Sequence, residues 1–170
     1  LDESYLVRLF GISGSQLYLL ARGIDNRPVE PESDVKSIGR EITFAADISD
    51  REELQRTLLE LAIDVGRRLR KDALRARTVN LKLRYSDFRT VTRARTLDAA
   101  TNLDEEIYKE ARLLLANNFS KGLLRLIGIS VSNLTDQDDC QLSFFGNEKQ
   151  EKEKLAKAID SVKEKFGEYS

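Results

Sequence analysis

A chain of 170 residues with 41% hydrophobic residues can fill one core, and its charges cancel almost fully, to −1, which excludes a uniformly polycationic binder. With no histidine, imidazole acid–base chemistry, Ser-His-Asp and Cys-His catalysis and His-containing zinc sites are excluded. The single cysteine, Cys140, allows no internal disulfide and fits a reducing cytoplasm; no stretch is apolar enough to span a bilayer.

The chain starts at Leu1 and contains no methionine, which reads as a fragment of a longer protein. Residues 4–23 read as short helices broken at Gly11 and Gly14, too few to bury a core alone. We expect residues 1–23 to be the remnant of a helical domain. Residues 24–34 hold both prolines, Pro28 and Pro31, and form a semi-extended linker.

In residues 35–47, Ile42, Phe44 and Ala46 alternate with Thr43, Ala45 and Asp47, the period of a strand. Ser49-Asp50-Arg51-Glu52 has the form of a capping box with Ser49 as the cap. The helix that follows carries Leu54, Leu58, Leu61, Ala62, Val65 and Leu69 on one stripe. Arg67, Arg68, Arg70 and Lys71 crowd its last turn, where cations complement the negative helix end.

Two strands come next. In residues 78–86, Val79, Leu81, Leu83 and Tyr85 face one way, and Asn80, Lys82 and Arg84 face the other. After a turn at Ser86-Asp87, residues 89–97 alternate poorly: Val91, Arg93, Arg95 and Leu97 share a parity, as a bulge or a binding face would require. A second helix spans about 104–118, with Ile107, Ala111, Leu114 and Leu115 inward and Gly122 ending it. In the last strand, 124–134, Ile127, Ile129 and Val131 oppose Gly128, Ser130 and Ser132. The order β-α-β-β-α-β predicts an α+β fold: a two-layer domain over residues 35–135, with a four-stranded, mainly antiparallel sheet and two helices on one face. The open face would then be polar.

Residues 136–170 form a tail. Lys36–Asp98 holds 15 Lys/Arg against 10 Asp/Glu, whereas residues 136–170 hold 6 Lys against 9 acids. A basic middle before an acidic tail points to a polyanion-binding domain with an appendage, or to uneven clumping on a mixed surface. In residues 148–166, Leu155, Ile159, Val162 and Phe166 fall at helical spacing; the alternatives are a helix that docks on the domain, one that docks on a partner, and a disordered tail.

Several stretches resemble the C-terminal part of bacterial Y-family, DNA polymerase IV-like translesion polymerases. Ala21-Arg22-Gly23-Ile24-Asp25 and Arg27-Pro28-Val29 resemble the junction of thumb and linker; Lys36-Ser37-Ile38-Gly39-Arg40-Glu41 resembles the opening strand of the little finger domain. Arg77-Thr78-Val79, Leu83 to Phe88 and Thr90-Val91-Thr92-Arg93 resemble its central hairpin, and Arg125 to Leu134 its final strand. The resemblance covers nearly all of residues 1–145. It implies a domain that lies against primer–template DNA and holds its backbone. The family's catalytic palm, whose carboxylates bind two magnesium ions, has no counterpart in these residues. The resemblance thus implies no catalytic residue, metal or cofactor in this chain, magnesium in the palm of the parent enzyme, and no polymerase activity from this chain alone.

The expected DNA contacts are Lys36, Ser37, Ile38, Gly39 and Arg40 on the first strand, where Gly39 lets backbone amides approach phosphate. On the hairpin they are Lys82, Arg84, Thr90, Thr92, Arg93 and Arg95, whose hydroxyls and cations suit phosphate oxygens without reading sequence. The alternatives are an edge strand with a glycine bulge and a solvated polar sheet face. Gln141, Leu142, Phe144 and Phe145 resemble the sliding-clamp-binding motif, with Phe144 where leucine is usual; the two phenylalanines could instead pack back on the domain. The expected partners are therefore DNA and a clamp, with the fragment itself monomeric. An RNA-binding β-α-β-β-α-β module is the alternative, but it would need stacking aromatics on the open face, where Phe44 and Tyr85 do not fall. A pure protein-interaction domain acting through the tail is a third reading.

Overall fold

The computed structural model describes residues 2–28, 35–119, 121–136 and 146–167, with only the backbone described for 146–150. The chain divides into two compact units, residues 1–34 and 35–170. In the first, α1 (Glu3–Phe10) and α2 (Ile12–Leu20) meet at Gly11, whose φ of 58° makes the corner. Gly14 lies so close to the Leu6 carbonyl that a Cβ there would approach its oxygen to 2.3 Å. The pair leaves Leu9, Phe10 and Ile12 exposed.

The second unit runs β1 (Ser37–Ile48), α3 (Arg51–Lys71), β2 (Leu74–Tyr85), β3 (Thr90–Thr101), α4 (Asp104–Asn118), β4 (Leu124–Asp136) and α5 (Gly146–Phe166). The sheet order is β1-β4-β2-β3, and all three pairings are antiparallel. This is the expected β-α-β-β-α-β arrangement. The hydrophobic stripe of α3 is buried throughout, with Leu54, Leu58, Ala62, Val65 and Leu69 at 0% exposure. It packs with Ile107, Ala111 and Leu115 of α4 on Val79, Leu81, Leu83, Ile127, Ile129 and Val131 of the two central strands. Each such leucine, isoleucine or valine contributes roughly 1.5–3 kcal/mol by leaving water.

Two local readings change. The cap of α3 is Asp50, not Ser49: its carboxylate accepts the Glu52 N–H at 2.9 Å. An ionised cap next to the positive helix end is the stronger acceptor of the two. The second helix ends at Asn118, and Gly122, with φ 121°, serves the turn beyond it.

The tail helix α5 docks on the domain, but by its charged side. Glu153 and Asp160, two turns apart on one face, pair with Arg75 (2.7 Å) and Arg70 (2.6 Å). The Arg70 side chain is 2% exposed; it also donates to the Asn102 carbonyl (2.7 Å) and pairs with Asp104. Burial opposes the charge on Arg70, yet Asp160 and Asp104 outweigh it and raise its pKa. The expected stripe of Leu155, Ile159, Val162 and Phe166 is exposed. Buried cations on α3 and β2 need counter-ions more than the domain surface needs further apolar cover.

Candidate nucleic-acid interface

Residues paired directly across antiparallel strands point to the same face, so the register sorts every candidate. The open face is built of four rungs across β1, β4, β2 and β3: Ser37–Ser132–Thr78–Thr96, Gly39–Ser130–Asn80–Ala94, Glu41–Gly128–Lys82–Thr92 and Thr43–Leu126–Arg84–Thr90. It is a floor of hydroxyls, one amide and glycines with two cations, one carboxylate (Glu41), the apolar Leu126 and Ala94, and no aromatic ring. That composition disfavours base stacking of the kind RNA-binding sheets use.

The floor is held in place by its own polar contacts. Asn80 Nδ2 donates to the Ser130 carbonyl (3.2 Å) and Ser132 Oγ (3.3 Å). Thr78 and Thr96 hydroxyls lie 3.1 Å apart, and Arg84 Nε donates to Thr90 Oγ1 at 3.0 Å. Lys82 reaches over β4 to Glu41 at 2.7 Å. Gly128 makes that reach possible: a Cβ there would come within 2.8 Å of Glu41 Cβ. Gly39 is likewise required by close strand pairing, since a Cβ would meet Ser130 Cβ at 2.7 Å. Its glycine is therefore explained without a ligand.

The structure brings Ser37, Gly39, Lys82, Arg84, Thr90 and Thr92 together on this floor and separates the rest. Arg40 is paired with Ile129, Arg93 with Leu81 and Arg95 with Val79, all core positions, so these three guanidinium groups start from the helix side. Ile38 is buried in the core. Lys36 precedes β1 and is exposed. The expectation of a floor dressed with Arg40, Arg93 and Arg95 is corrected: these arginines stand at the two edges of the sheet. The poor alternation of β3 has this cause. As an edge strand it overhangs the helical layer, so its core-parity positions remain accessible. The bulge is present too, between Thr96 and Thr101, and Arg77 fastens it by donating to the Leu97 (2.9 Å) and Asp98 (3.1 Å) carbonyls.

The edge arginines differ in their partners. Arg40 pairs with the largely buried Asp64, and Arg95 with Glu110, also largely buried, at 3.0 Å. Arg93 donates to Asn118 Oδ1 at 3.0 Å and to the Thr92 carbonyl at 2.9 Å, both neutral acceptors. Arg68, read from sequence as a helix-end residue, donates to the Gly39 carbonyl at 3.3 Å and so adds a cation beside β1. Only the α3–β1 contact reveals it; its sequence spacing does not. Three strand spacings, about 14 Å, separate the two cationic edges.

Among the described residues no group of three or more His, Cys, Asp or Glu could hold a metal ion, and no helix is long and apolar enough to cross a membrane. Gln141, Leu142, Phe144 and Phe145 lie outside the described residues.

Residues 35–144 match the model of the impB/mucB/samB family C-terminal domain. The chain is 40% identical over 171 residues to a DNA polymerase IV of Desulfatibacillum aliphaticivorans, covering 98% of this chain and 43% of that protein. It is 40% identical to a DNA polymerase IV of Clostridium kluyveri over 98% of this chain and 44% of the relative. With a DNA polymerase IV of Methanoculleus marisnigri it shares 44% identity over 78% of this chain and 37% of the relative. The chain thus spans less than half the length of these relatives.

Proposed function

Because this chain belongs to the Y-family of DNA polymerase IV-type enzymes and carries the impB/mucB/samB C-terminal domain, we propose that it grips primer–template DNA for an error-prone translesion polymerase. In this reading residues 1–23 are the end of the thumb, 24–34 the linker, 35–135 the little finger domain and 136–170 the tail. Nucleotidyl transfer, and the magnesium ions it needs, belong to the palm of the parent enzyme.

The observation that carries the reading is the polar floor with a cationic edge on either side. Thr90, Thr92, Lys82 and Arg84 offer donors to phosphate oxygens from the floor, and Lys36, Arg40, Arg93 and Arg95 offer them from the edges; Ser37 and the Gly39 amide complete the β1 side, the Ile38 amide being turned toward β4. Such contacts hold any sequence alike, as a polymerase moving along its template requires. Among the three edge arginines Arg93 is the freest to serve, since leaving Asn118 strands no carboxylate. Arg95 would leave the largely buried Glu110 behind, which limits its share, whereas Asp64, released by Arg40, would keep Arg67 at 3.2 Å.

The tail adds a second contact. Gln141 supplies an amide, and Leu142, Phe144 and Phe145 supply apolar anchors for a cleft on the sliding clamp.

Fluorescence anisotropy with a primer–template duplex, a single-stranded RNA and a clamp tests the whole proposal; preference for the RNA overturns it. For Arg93→Ala we expect weaker binding to all duplex sequences alike. The slope of log affinity against log salt should fall by roughly one unit, as for the loss of one phosphate contact. A wild-type slope would remove Arg93 from the interface.

A further inference from the structure

Phe88 is anomalous on two counts. Its φ is 66°, in the left-handed region where a Cβ crowds the backbone and glycine or asparagine is usual. It is also 63% exposed, although aromatic. Ser86, Asp87 and Phe88 form the loop of the β2–β3 hairpin. Tyr85 N–H donates to the Arg89 carbonyl (3.0 Å), Phe88 N–H to the Tyr85 carbonyl (2.9 Å), and Asp87 Oδ1 accepts the Arg89 N–H (2.9 Å). A three-residue loop of this kind needs a left-handed residue at its end, but nothing in it needs a ring.

The ring is nonetheless held. The Arg125 guanidinium lies 4.6 Å from its centroid, and Arg125 is itself fixed by two hydrogen bonds to Asp47, at 3.0 and 3.3 Å. Those bonds, with the charge of Asp47, raise the Arg125 pKa. A guanidinium clamped by a carboxylate cannot follow the ring, so it fixes one face and leaves the other to solvent. The next residue, Arg89, just before the strand that carries Thr90 and Thr92, has a side chain 65% exposed; its guanidinium lies 4.5 Å from the Tyr85 ring centroid and 4.0 Å from the Asp87 carboxylate, and swinging away from them would bring a cation to the phosphate of a stacked nucleotide. An aromatic face with a cation next to it is the pairing by which proteins hold one nucleotide of a single strand: base on ring, phosphate on cation. The loop explains the left-handed backbone at Phe88 but not the choice of an exposed aromatic there, and it is that choice which calls for a functional reading.

We propose that Phe88, backed by Arg125, is a stacking platform for an unpaired base of single-stranded DNA next to the duplex grip. This rests on the DNA-binding reading above and extends it from duplex backbone to an unpaired base.

The test compares a blunt duplex with the same duplex carrying a template overhang that contains 2-aminopurine. Anisotropy reports affinity, and the fluorescence of the analogue reports stacking. Wild type should bind the overhang DNA more tightly than the blunt duplex and quench the analogue. Phe88→Gly removes the ring while relieving the backbone, so its melting temperature should be unchanged or higher. Its affinity for the overhang DNA should fall about tenfold, with blunt-duplex affinity unchanged and the quench lost. Phe88→Tyr should restore both. Equal quenching by wild type and Phe88→Gly, or equal loss of affinity on both substrates, would overturn the platform and leave the duplex grip standing. Failure of the wild-type protein to bind either DNA would overturn both.

Discussion

The helices α3 and α5 have the same length, 21 residues, and are held by opposite means. The side of α3 that meets the sheet is almost wholly apolar, and its leucines lie at essentially zero exposure. The side of α5 that meets the domain is anionic: Glu153 and Asp160 close on Arg75 and Arg70, while its apolar stripe faces outward. Apolar burial is non-directional and repels water, so α3 and the sheet form or melt together. Ion pairs at a helix surface recover water readily once they open. The polar floor of the sheet therefore rests on the part of the molecule with the most cooperative packing, and α5 is an attachment that can leave without disturbing it.

The largest test of this contrast is Leu58→Ala. Leu58 is fully buried between α3 and the sheet, and its truncation should cost about 3 kcal/mol of global stability. Denaturant unfolding followed by circular dichroism should show a lower midpoint with an unchanged slope. A loss confined to α3 amides in hydrogen exchange, with the strands unaffected, would break the claim that α3 and the sheet are one cooperative unit.

Asp160→Asn probes the other side. It leaves the Arg70 guanidinium with Asp104 and the Asn102 carbonyl but without its bidentate partner in α5. Release of α5 should become easier by about 2 kcal/mol. Amide exchange in α5 should then speed up roughly 30-fold, with α3 and the strands unchanged. Equal acceleration everywhere would mean that α5 belongs to the cooperative core after all.

The same contrast separates what was legible in the sequence from what was not. Strand and helix assignments follow from apolar periodicity, because one-sided burial imposes periods of 2 and 3.6 on whatever lies against a core. Hence the stripe from Leu54 to Leu69 and the alternation in β2 and β4 survive intact. The resemblance of Lys36–Glu41 and the hairpin to a known family carried the family assignment. Periodicity misled where burial is not the rule. In β3, Arg93 and Arg95 share the helix-side parity of Val91 and Leu97 yet stay accessible because the edge strand overhangs the helices; grouping them with Thr90 and Thr92 as one set of contacts joined residues of opposite faces. In α5, the apolar stripe looked like the docking side, yet docking is decided by Arg70 and Arg75, residues 90 and 78 positions away in the chain. Those pairings are tertiary, and no local pattern encodes them. The strain at Phe88 was hidden for a related reason: a turn at Ser86-Asp87 is readable, but which residue must turn left-handed depends on the loop length that strand pairing selects.

The smallest test concerns how α3 begins. Asp50 accepts the Glu52 N–H through its carboxylate, whereas Ser49 makes no side-chain cap bond. An N-cap acceptor satisfies one of the amides that the first turn cannot pair, and a negative charge there also meets the positive end of the helix. Asp50→Ala should thus cost about 1 kcal/mol, read as a shift in the urea midpoint, and Ser49→Ala should stay within about 0.5 kcal/mol of wild type. Because α3 is continuous with the core, the Asp50 penalty should be felt in global unfolding rather than as local fraying. If the penalty followed Ser49 instead, the capping box expected from sequence would stand. If it appeared only as faster exchange in the first turn, the cooperativity ascribed to α3 would stop short of its N-terminus.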